Sequence, residues 1–266
     1  RLFINKDYLH FASKHILNIE LLPFQLVVLD MLWNKKFPMF IASRGASKSY
    51  MLAVYGLIRM VLTPGCRIVV IAASFRQSRQ VFEYMMEIWH NAPVLRDIAG
   101  PGKLVGPRRE IDRCQFTIGN SHAYFVPTGD GTKIRGMRAN YIFCDELSSI
   151  PIDIFNIVVR GFGVVSLSPI EKVKENMTIK KLKDEGVWSE EMDEERKNSL
   201  MGNQIVYDGT AFYEFNHFCS FYKKWKRIIE SKGDLTKLDD LFGEDELLKK
   251  NFNWKEFREG MEIAVH

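Results

Sequence analysis

Residues 37–50 read FPMFIASRGASKSY, and this stretch decides the fold expected for the whole chain. The apolar run from Met39 to Ala42 predicts a strand, and the small residues that follow it end in Lys48-Ser49. The next segment, MLAVYGLIRMVL, has the apolar periodicity of a helix. A strand, a loop of small residues ending in Lys-Ser and a helix together are the context of a phosphate-binding P-loop.

The chemistry of such a loop is that of an anion site. Small side chains let successive backbone N–H groups turn towards a phosphate, and the helix N-terminus adds partial positive charge. Lys48 is the candidate ligand of the β- and γ-phosphates, and the Ser49 hydroxyl is the candidate ligand of Mg²⁺. The other candidate nucleotide-binding residues of the loop are Ser43, Arg44, Gly45, Ala46 and Ser47.

The loop departs from the pattern G-x-x-x-x-G-K-[ST] at two positions. Ala42 and Ser47 stand where the pattern has glycine. The Cβ of Ser47 makes a left-handed backbone there unfavourable. By itself, the stretch also fits an ordinary strand-to-helix turn, so both interpretations stay open at this point.

Composition bounds the class of protein. The chain has 266 residues, of which 46% are hydrophobic, enough for one large core. Its net charge of +4 permits a polyanionic partner without requiring one. The four cysteines lack C-x-x-C spacing and predict reduced, mostly buried thiols rather than disulfides or a zinc site. No apolar run approaches the ~18–20 residues that cross a bilayer, and no signal peptide is evident, so we expect no membrane partner.

Two regions after the P-loop helix have clear patterns. CRIVVIAAS predicts a central strand of a parallel sheet, because it is apolar on both faces. Residues 99–113 are typical of a loop, and residues 114–127 alternate like a hairpin that turns at Gly119. Basic residues in this region are candidate contacts of nucleic-acid phosphates, although a solvated loop has the same composition. They are Lys103, Arg108, Arg109 and Arg113.

Asp145 and Glu146 directly follow the apolar run YIFC. Adjacent carboxylates at the end of a buried strand are costly unless they have a function. In P-loop ATPases the first carboxylate of such a pair holds Mg²⁺ or its bound water, and the second polarises the attacking water as a general base. Asp145 also fits the N-cap of the segment that follows, so this alternative stays open.

Two further polar residues are candidates for nucleotide contacts. Gln25 lies in the first turn of a helix predicted after Pro23, and its amide can pair with both the donor and acceptor edges of adenine. A surface glutamine in a first turn has the same sequence signature. Thr210 follows a strand that ends in Asp208-Gly209, where its hydroxyl can sense a γ-phosphate, although turn chemistry alone also explains Asp-Gly.

The order of these motifs resembles that of the ATPase domain of the large terminase subunit, the motor that packages DNA into the capsids of tailed bacteriophages. The matching motifs are Gln25, S-R-G-A-S-K-S at 43–49, I-V-V-I-A-A-S with F-R-Q-S, R-G-M-R at 135–138, F-C-D-E at 143–146 and D-G-T-A at 208–211. The resemblance covers nearly the whole chain. It implies an α/β P-loop NTPase of the additional-strand (ASCE) type, with a mainly parallel central sheet flanked by helices and a small lid subdomain.

The resemblance also implies the roles of individual residues. Gln25 resembles the adenine-contacting glutamine of the family. Lys48 and Ser49 match the lysine and hydroxyl of the Walker A motif, and Asp145 and Glu146 match the Walker B pair.

Three more positions gain a more specific role from the resemblance. Arg44 sits where terminases carry an arginine inside the Walker A loop. Arg135, upstream of the Walker B motif, resembles the position from which a ring neighbour receives an arginine finger. Thr210 lies in what looks like the coupling motif. Arg44 and Arg135 are therefore both candidate catalytic arginines beside Glu146.

On this basis we predict an ATPase core at residues 1–225, including an N-terminal adenine-binding segment, and a lid subdomain or linker at residues 226–266. The implied function is ATP-driven translocation of double-stranded DNA into a procapsid, with ATP and Mg²⁺ as cofactors. The implied partners are double-stranded DNA, a portal protein, a small terminase subunit and copies of the chain in a ring, with a monomer in isolation. The expected location is the host cell cytoplasm. We expect a fragment without the family's RNase H-like nuclease half, and hence no nuclease activity.

Three other functions are compatible with parts of the pattern. A superfamily 1 or 2 helicase shares the Walker motifs and an upstream glutamine, but the chain is too short for its second RecA-like domain. A non-hydrolysing nucleotide-binding scaffold does not need Glu146 beside Asp145. A nucleic-acid-binding module without a nucleotide needs neither Lys48 nor Glu146.

Overall fold

The structure is a computed structural model, which describes residues 9–102, 104–129, 137, 139–156, 180–181, 183–186, 204–210, 214–232, 234–238 and 261–265. The helices are α1 (Leu9–His15), α2 (Pro23–Asn34), α3 (Lys48–Leu62), α4 (Phe75–Asn91), α5 (Pro93–Ala99), the single turn α6 (Ile152–Ile154) and α7 (His217–Ser231), with 3₁₀ turns at Leu147–Ser149 and Leu235–Leu238. The strands are β1 (Phe37–Ile41), β2 (Arg67–Ala72), β3 (Gly106–Arg109), β4 (Cys114–Ile118), β5 (Ser121–Pro127), β6 (Tyr141–Cys144), β7 (Gln204–Gly209) and β8 (Met261–Val265). Within this part of the chain no helix is both long and apolar enough to span a membrane.

The strands form one sheet in the order β3-β4-β5-β2-β6-β7-β1-β8. The pairs from β5 to β8 along this order are all parallel, whereas β3 and β4 pair antiparallel at one edge. Strand β2 is buried on both faces, as its unbroken apolar sequence predicts. The predicted α/β class with a mainly parallel sheet is therefore confirmed.

Strand β7 lies between β6 and β1 and pairs in parallel with both. The strand that leads into the P-loop and the strand that leads into Asp145-Glu146 are consequently not neighbours. An inserted strand between these two is the defining feature of the additional-strand P-loop fold that the motif order implies. Residues at the carboxyl end of β7 are thereby placed between the two motifs.

Helices and apolar side chains cover both faces of the sheet. The larger cluster packs α1 to α5 against one face, with Leu29, Tyr55 and Phe82 fully buried in it. Helix α7 covers the other face, where its Trp225 ring packs edge-on against Tyr207. The sheet is thus the middle of three layers. The P-loop and the Asp145-Glu146 pair both lie at the carboxyl ends of its parallel strands.

Of two segments beyond the P-loop helix, one differs from its predicted assignment and the other matches it. Residues 106–109, predicted as part of a loop, form the edge strand β3, because pairing with β4 satisfies their backbone groups. The hairpin predicted at residues 114–127 is confirmed, and Gly119 adopts the positive φ of 53° that its turn requires.

The C-terminal part also differs from its prediction. Helix α7 runs without a break through the boundary predicted at 225/226, because the apolar face that includes Trp225 and Ile228 is buried along its length. Strand β8, predicted within a lid or linker, instead pairs with β1 in the central sheet. Residues 239–260, where most of the predicted lid falls, lie outside the described residues.

Candidate active site

The carboxyl ends of β1, β6 and β7 meet at the N-terminus of α3. The register aligns Cys144 with Tyr207 across β6 and β7, and Phe40 with Asp208 across β1 and β7. The next residues along β6 and β7, Asp145 and Asp208, therefore lie side by side and point to the face that α3 covers. In open α/β sheets, ligands bind in the crevice outside the carboxyl ends of the strands.

The P-loop leads from β1 into α3 through two left-handed residues. Gly45 has a φ of 82°, and Ser47, the residue that precedes α3, has a φ of 60° and a ψ of 21°. Ser47 thus adopts the conformation that glycine supplies in the P-loop pattern. Ala42 needs no glycine, because it continues the sheet by donating its N–H to Gly209 O, and it is not among the positive-φ residues described.

Replacing Ser47 by glycine is expected to stabilise the fold. A left-handed residue with a Cβ costs roughly 1–2 kcal/mol, and the greater flexibility of glycine in the unfolded chain returns about 0.4–1 kcal/mol of this. Since the Ser47 side chain makes no capping hydrogen bond, little else is lost. Urea unfolding of Ser47→Gly should show a free energy of unfolding higher by roughly 0.5–1 kcal/mol. Ser47→Ala keeps the Cβ and serves as the control, so equal values for both variants would contradict the strain at Ser47.

Lys48 is buried beneath the loop and joins it to β7. Its Nζ donates hydrogen bonds to Ala42 O and Ser43 O at 3.1 Å each. A third bond, of 3.2 Å, goes to the Thr210 hydroxyl at the end of β7. The ammonium group therefore lies between the carboxyl ends of β1 and β7.

Ser49 and Asp145, the two candidate metal ligands, are hydrogen-bonded to each other. The Ser49 hydroxyl donates to Asp145 Oδ1 at 3.1 Å, and Asp145 is buried. Asp145 is not an N-cap: its N–H donates to Ile71 O, and Glu146 is the residue that precedes the following 3₁₀ turn. Within the described ranges no group of three or more His, Cys, Asp or Glu side chains has a metal-binding arrangement. A hydroxyl and one carboxylate nevertheless suit Mg²⁺, which is commonly held by one or two protein oxygens together with substrate phosphates.

Glu146 is held by the residue that also contacts Lys48. Its carboxylate accepts hydrogen bonds from Thr210 N at 2.8 Å and from Thr210 Oγ1 at 3.1 Å. The Ser148 hydroxyl donates a third bond of 2.9 Å. Lys48, Thr210 and Glu146 therefore form one chain of hydrogen bonds, in which the hydroxyl accepts from the ammonium and donates to the carboxylate.

Asp208 also belongs to this cluster, although the sequence singles it out only as part of a turn signal and of the D-G-T-A motif. Its side chain is fully buried, and its Oδ1 accepts a 2.9 Å hydrogen bond from Glu146 N. Its Oδ2 is buried without a hydrogen-bond partner among the described residues. One sequence signal pointed to Asp208: it follows the apolar residues IVY, just as Asp145 follows YIFC. That the two aspartates lie side by side is shown by the pairing register of β6 and β7.

Burial shifts the acidity of both aspartates. Loss of hydration raises the pKa of Asp145 to about 6, partly opposed by its hydrogen bond from Ser49. Burial and the neighbouring charge of Asp145 raise the pKa of Asp208 well above its ordinary value. In the absence of a cation, these two carboxyl groups therefore hold protons at a higher pH than exposed aspartates do.

This shift predicts how the stability of the nucleotide-free protein depends on pH. Because the folded state binds the Asp145 proton more tightly than the unfolded state, the contribution is present below about pH 4 and is lost as pH rises through about 6, a fall of roughly 3 kcal/mol. Urea unfolding at pH 4, 5, 6 and 7 measures it. Asp208→Asn should be more stable than the wild type at pH 7 and show a smaller fall. The exposed carboxylate of α6 gives the control Asp153→Asn, and equal slopes for all three proteins would refute the assignment.

Gln25 lies in the first turn of α2, as predicted, but it is buried rather than on the surface. Its Oε1 accepts a 2.9 Å hydrogen bond from Leu22 N and so helps to cap the helix. The carbonyl edge of the amide is therefore engaged by the protein's own backbone. An adenine contact by Gln25 stays a prediction.

The predicted nucleic-acid contacts near the hairpin are held in surface ion pairs. Arg108 and Arg113 contact Glu110 at 3.4 and 2.6 Å, and Arg109 lies 3.6 Å from Glu83. These arginines lie at the end of β3 and the start of β4, on the same side of the sheet as the P-loop. Strand β3 is, however, four strand spacings from β6, a distance of roughly 19 Å. Surface pairs of this kind contribute about 0–1 kcal/mol, so phosphates can compete for these arginines.

Three further predicted residues are Arg44, Lys103 and Arg135. Arg44 is exposed on the P-loop. Lys103 and Arg135 lie outside the described residues. The structure therefore brings together Lys48, Ser49, Asp145, Glu146 and Thr210, and it adds Asp208 to them.

Comparison with solved structures finds the same fold in a known protein. The HK97 bacteriophage large terminase superposes with a TM-score of 0.57 at 13% identity, over 86% of this chain and 42% of that one. This chain thus spans less than half the length of that terminase. The Thermus phage P74-26 large terminase ATPase domain aligns over 93% of this chain and 94% of its own, with a TM-score of 0.45 at 12% identity. No protein-family model and no curated protein matches the sequence. The fold expected from the motif order is confirmed.

Proposed function

We propose that this chain is the ATP-hydrolysing motor domain of a viral large terminase subunit, and that it couples hydrolysis to translocation of double-stranded DNA into a procapsid. The observation that carries the proposal is the hydrogen-bonded chain from Lys48 through Thr210 to Glu146. It connects the candidate phosphate ligand to the candidate general base through a strand inserted between their two motifs. The fold shared with the HK97 terminase supports the same function.

ATP is the proposed substrate and Mg²⁺ the proposed metal. The P-loop backbone and Lys48 bind the β- and γ-phosphates, replacing the bonds that Lys48 now makes to Ala42 O and Ser43 O. Ser49 and Asp145 hold the metal, which supplies charge neutralisation on the phosphate oxygens when it is bound. These residues fit Mg²⁺ because the Ser49 hydroxyl and the Asp145 carboxylate supply two hard oxygen atoms within hydrogen-bond distance of each other.

Glu146 is the proposed general base. Its carboxylate accepts a proton from the water that attacks the γ-phosphorus, while the bond to the ADP oxygen breaks on the opposite side. Thr210 orients that carboxylate through two hydrogen bonds. Because Thr210 also contacts Lys48, a γ-phosphate that draws Lys48 away changes the environment of the base.

An arginine completes the charge stabilisation in this proposal, supplied by Arg44 from the P-loop or by Arg135 of a ring neighbour. An arginine finger in trans is worth roughly 10³–10⁵ in rate. The isolated monomer is therefore expected to hydrolyse ATP slowly. Its proposed partners are double-stranded DNA, a portal protein, a small terminase subunit and further copies of the chain in a capsid-bound ring. The proposed location is the host cell cytoplasm.

The test measures phosphate release from MgATP by the purified chain and by the protein assembled on a portal-bearing procapsid. The proposal expects measurable ATP binding by the isolated chain, slow turnover, and faster turnover in the assembly when double-stranded DNA is present. Unwinding of a forked duplex by the chain alone would favour a helicase. Absence of phosphate release in both settings, despite ATP binding, would favour a non-hydrolysing scaffold.

A further inference from the structure

Strand β7 holds Glu146 at two points. The Thr210 N–H and hydroxyl bind the carboxylate, as described above, while Asp208 Oδ1 accepts the hydrogen bond from the Glu146 backbone N–H at 2.9 Å. Asp208 is the next-to-last residue of β7, and Thr210 directly follows that strand. The carboxyl end of β7 therefore holds both the main chain and the side chain of Glu146, the second residue after β6.

The backbone at Glu146 needs such support. Its φ of 51° and ψ of 59° are left-handed, a conformation that costs free energy for a residue with a Cβ and persists only where the surroundings impose it. Asp208 accepts the hydrogen bond from the N–H of Glu146 itself, so it holds the main chain at this left-handed residue. Releasing that N–H lets the main chain at Glu146 relax towards ordinary angles and carries the carboxylate with it.

The segment after Glu146 is anchored separately. Asn216 Nδ2 donates to Ser148 O at 2.9 Å, and His217 Nε2 lies 3.0 Å from Leu147 O. Both anchors come from the start of α7 and act on the 3₁₀ turn rather than on Glu146 itself. Among the described contacts, the hydrogen bond to the Glu146 N–H is thus made by Asp208 from β7, independently of the α7 anchors.

A carboxylate is a costly way to make this bond. Asp208 is fully buried, and its side chain lies within hydrogen-bonding range of the Asp145 carboxyl group, so two carboxyl groups are desolvated side by side. Burial accordingly raises its pKa well above the ordinary value. A group that costs stability and touches the candidate base directly is better explained by a role in the site than by the stability of the fold.

We propose that Asp208 is a positioning residue for the general base: its Oδ1 fixes the left-handed main chain of Glu146 and thereby aims the Glu146 carboxylate at the attacking water. The inference rests on the proposed function, since Glu146 must be the base. It assigns Asp208 no contact with substrate. Acting through Glu146, it affects turnover and leaves nucleotide binding to Lys48 and the P-loop.

The kinetic test compares Asp208→Asn with Asp208→Ala in the assembled, DNA-stimulated motor. Asparagine retains the Oδ1 acceptor, so kcat should stay within about threefold of the wild type, whereas alanine should lower kcat about 10²-fold, the effect of displacing a catalytic group by about 1 Å. The KM for ATP should change little in either variant. Equal losses of kcat in the two variants, or a raised KM with kcat unchanged, would overturn the proposal. If Asp208→Ala melts below the assay temperature, Asp208→Val fills the space without an acceptor and carries the same expectation.

A second measurement needs no catalysis and separates this inference from the proposed function. Hydrogen exchange of the peptide that contains Glu146, followed by mass spectrometry in the nucleotide-free protein, reports whether its N–H is held. Exchange should be faster in Asp208→Ala than in the wild type and unchanged in Asp208→Asn. If the wild type lacks ATPase activity but shows this pattern, the proposed function fails while the positioning of Glu146 stands. Equal exchange in all three proteins would refute the positioning itself.

Discussion

Glu146→Gln is expected to lower the ATP turnover number by a factor of about 10²–10⁴, the usual contribution of a positioned general base. Glutamine has nearly the same shape, and its carbonyl oxygen can still accept one of the hydrogen bonds that Thr210 donates. It cannot take a proton from water. Phosphate release from MgATP by the assembled motor measures the effect.

Nucleotide affinity should survive this change, because the described contacts connect Glu146 to Lys48, the candidate phosphate ligand, through Thr210. The dissociation constant of a fluorescent ATP analogue should therefore stay within about threefold of the wild-type value, the size of a small change in binding free energy. Glu230→Gln is the matched control, since Glu230 is exposed on α7 and, among the described residues, pairs with the surface residue Lys226. Unaltered phosphate release by Glu146→Gln would remove Glu146 as the base and revive the non-hydrolysing scaffold.

The local parts of the nucleotide site follow from the sequence because each depends on adjacent residues. An apolar run, a run of small residues and a helical period predict β1, the P-loop and α3, and the structure has them at Phe37–Ile41 and Lys48–Leu62. The same holds for the short strand before Asp145. Pattern and propensity can predict the secondary structure that depends on residues adjacent in the sequence.

Non-local pairing accounts for what the sequence did not predict. The place of strand β8 in the sheet is defined by its pairing with β1, and its own five residues do not indicate which strand they pair with. The strand that ends in Asp208-Gly209 is predicted by the sequence, but its place between β1 and β6 is not, because that place depends on pairing with both strands. Which two carboxylates become neighbours is decided by the strand order β6-β7-β1, and no local rule supplies that order.

Ser47 shows a local preference overridden by its surroundings. Its Cβ disfavours the left-handed backbone, yet its φ is 60°. The following residue, Lys48, is tied to Ala42, Ser43 and Thr210, so the loop closes around the lysine and leaves Ser47 little freedom. The missing glycine of the motif is thus a local cost that the contacts of Lys48 offset.

Those contacts make Lys48→Met the second substitution with a large expected effect. Methionine keeps the length and the apolar stem of the side chain but has no ammonium group. Hydrogen bonds from a charged group contribute about 1.5–3 kcal/mol, so the affinity for MgATP should fall by roughly 10- to 150-fold. Titration calorimetry with MgATP measures the dissociation constant directly, without relying on turnover.

Lys36→Met is the matched control, because Lys36 lies at the amino end of β1, where it stacks on Phe37 at 5.4 Å, and the P-loop follows the carboxyl end. Its affinity for MgATP should equal that of the wild type. Lys48→Met also removes the bond that orients the Thr210 hydroxyl, so any turnover that survives at saturating ATP should be lower than in the wild type. An unchanged dissociation constant in Lys48→Met would mean that the loop at residues 43–49 is a strand-to-helix turn and not a phosphate site.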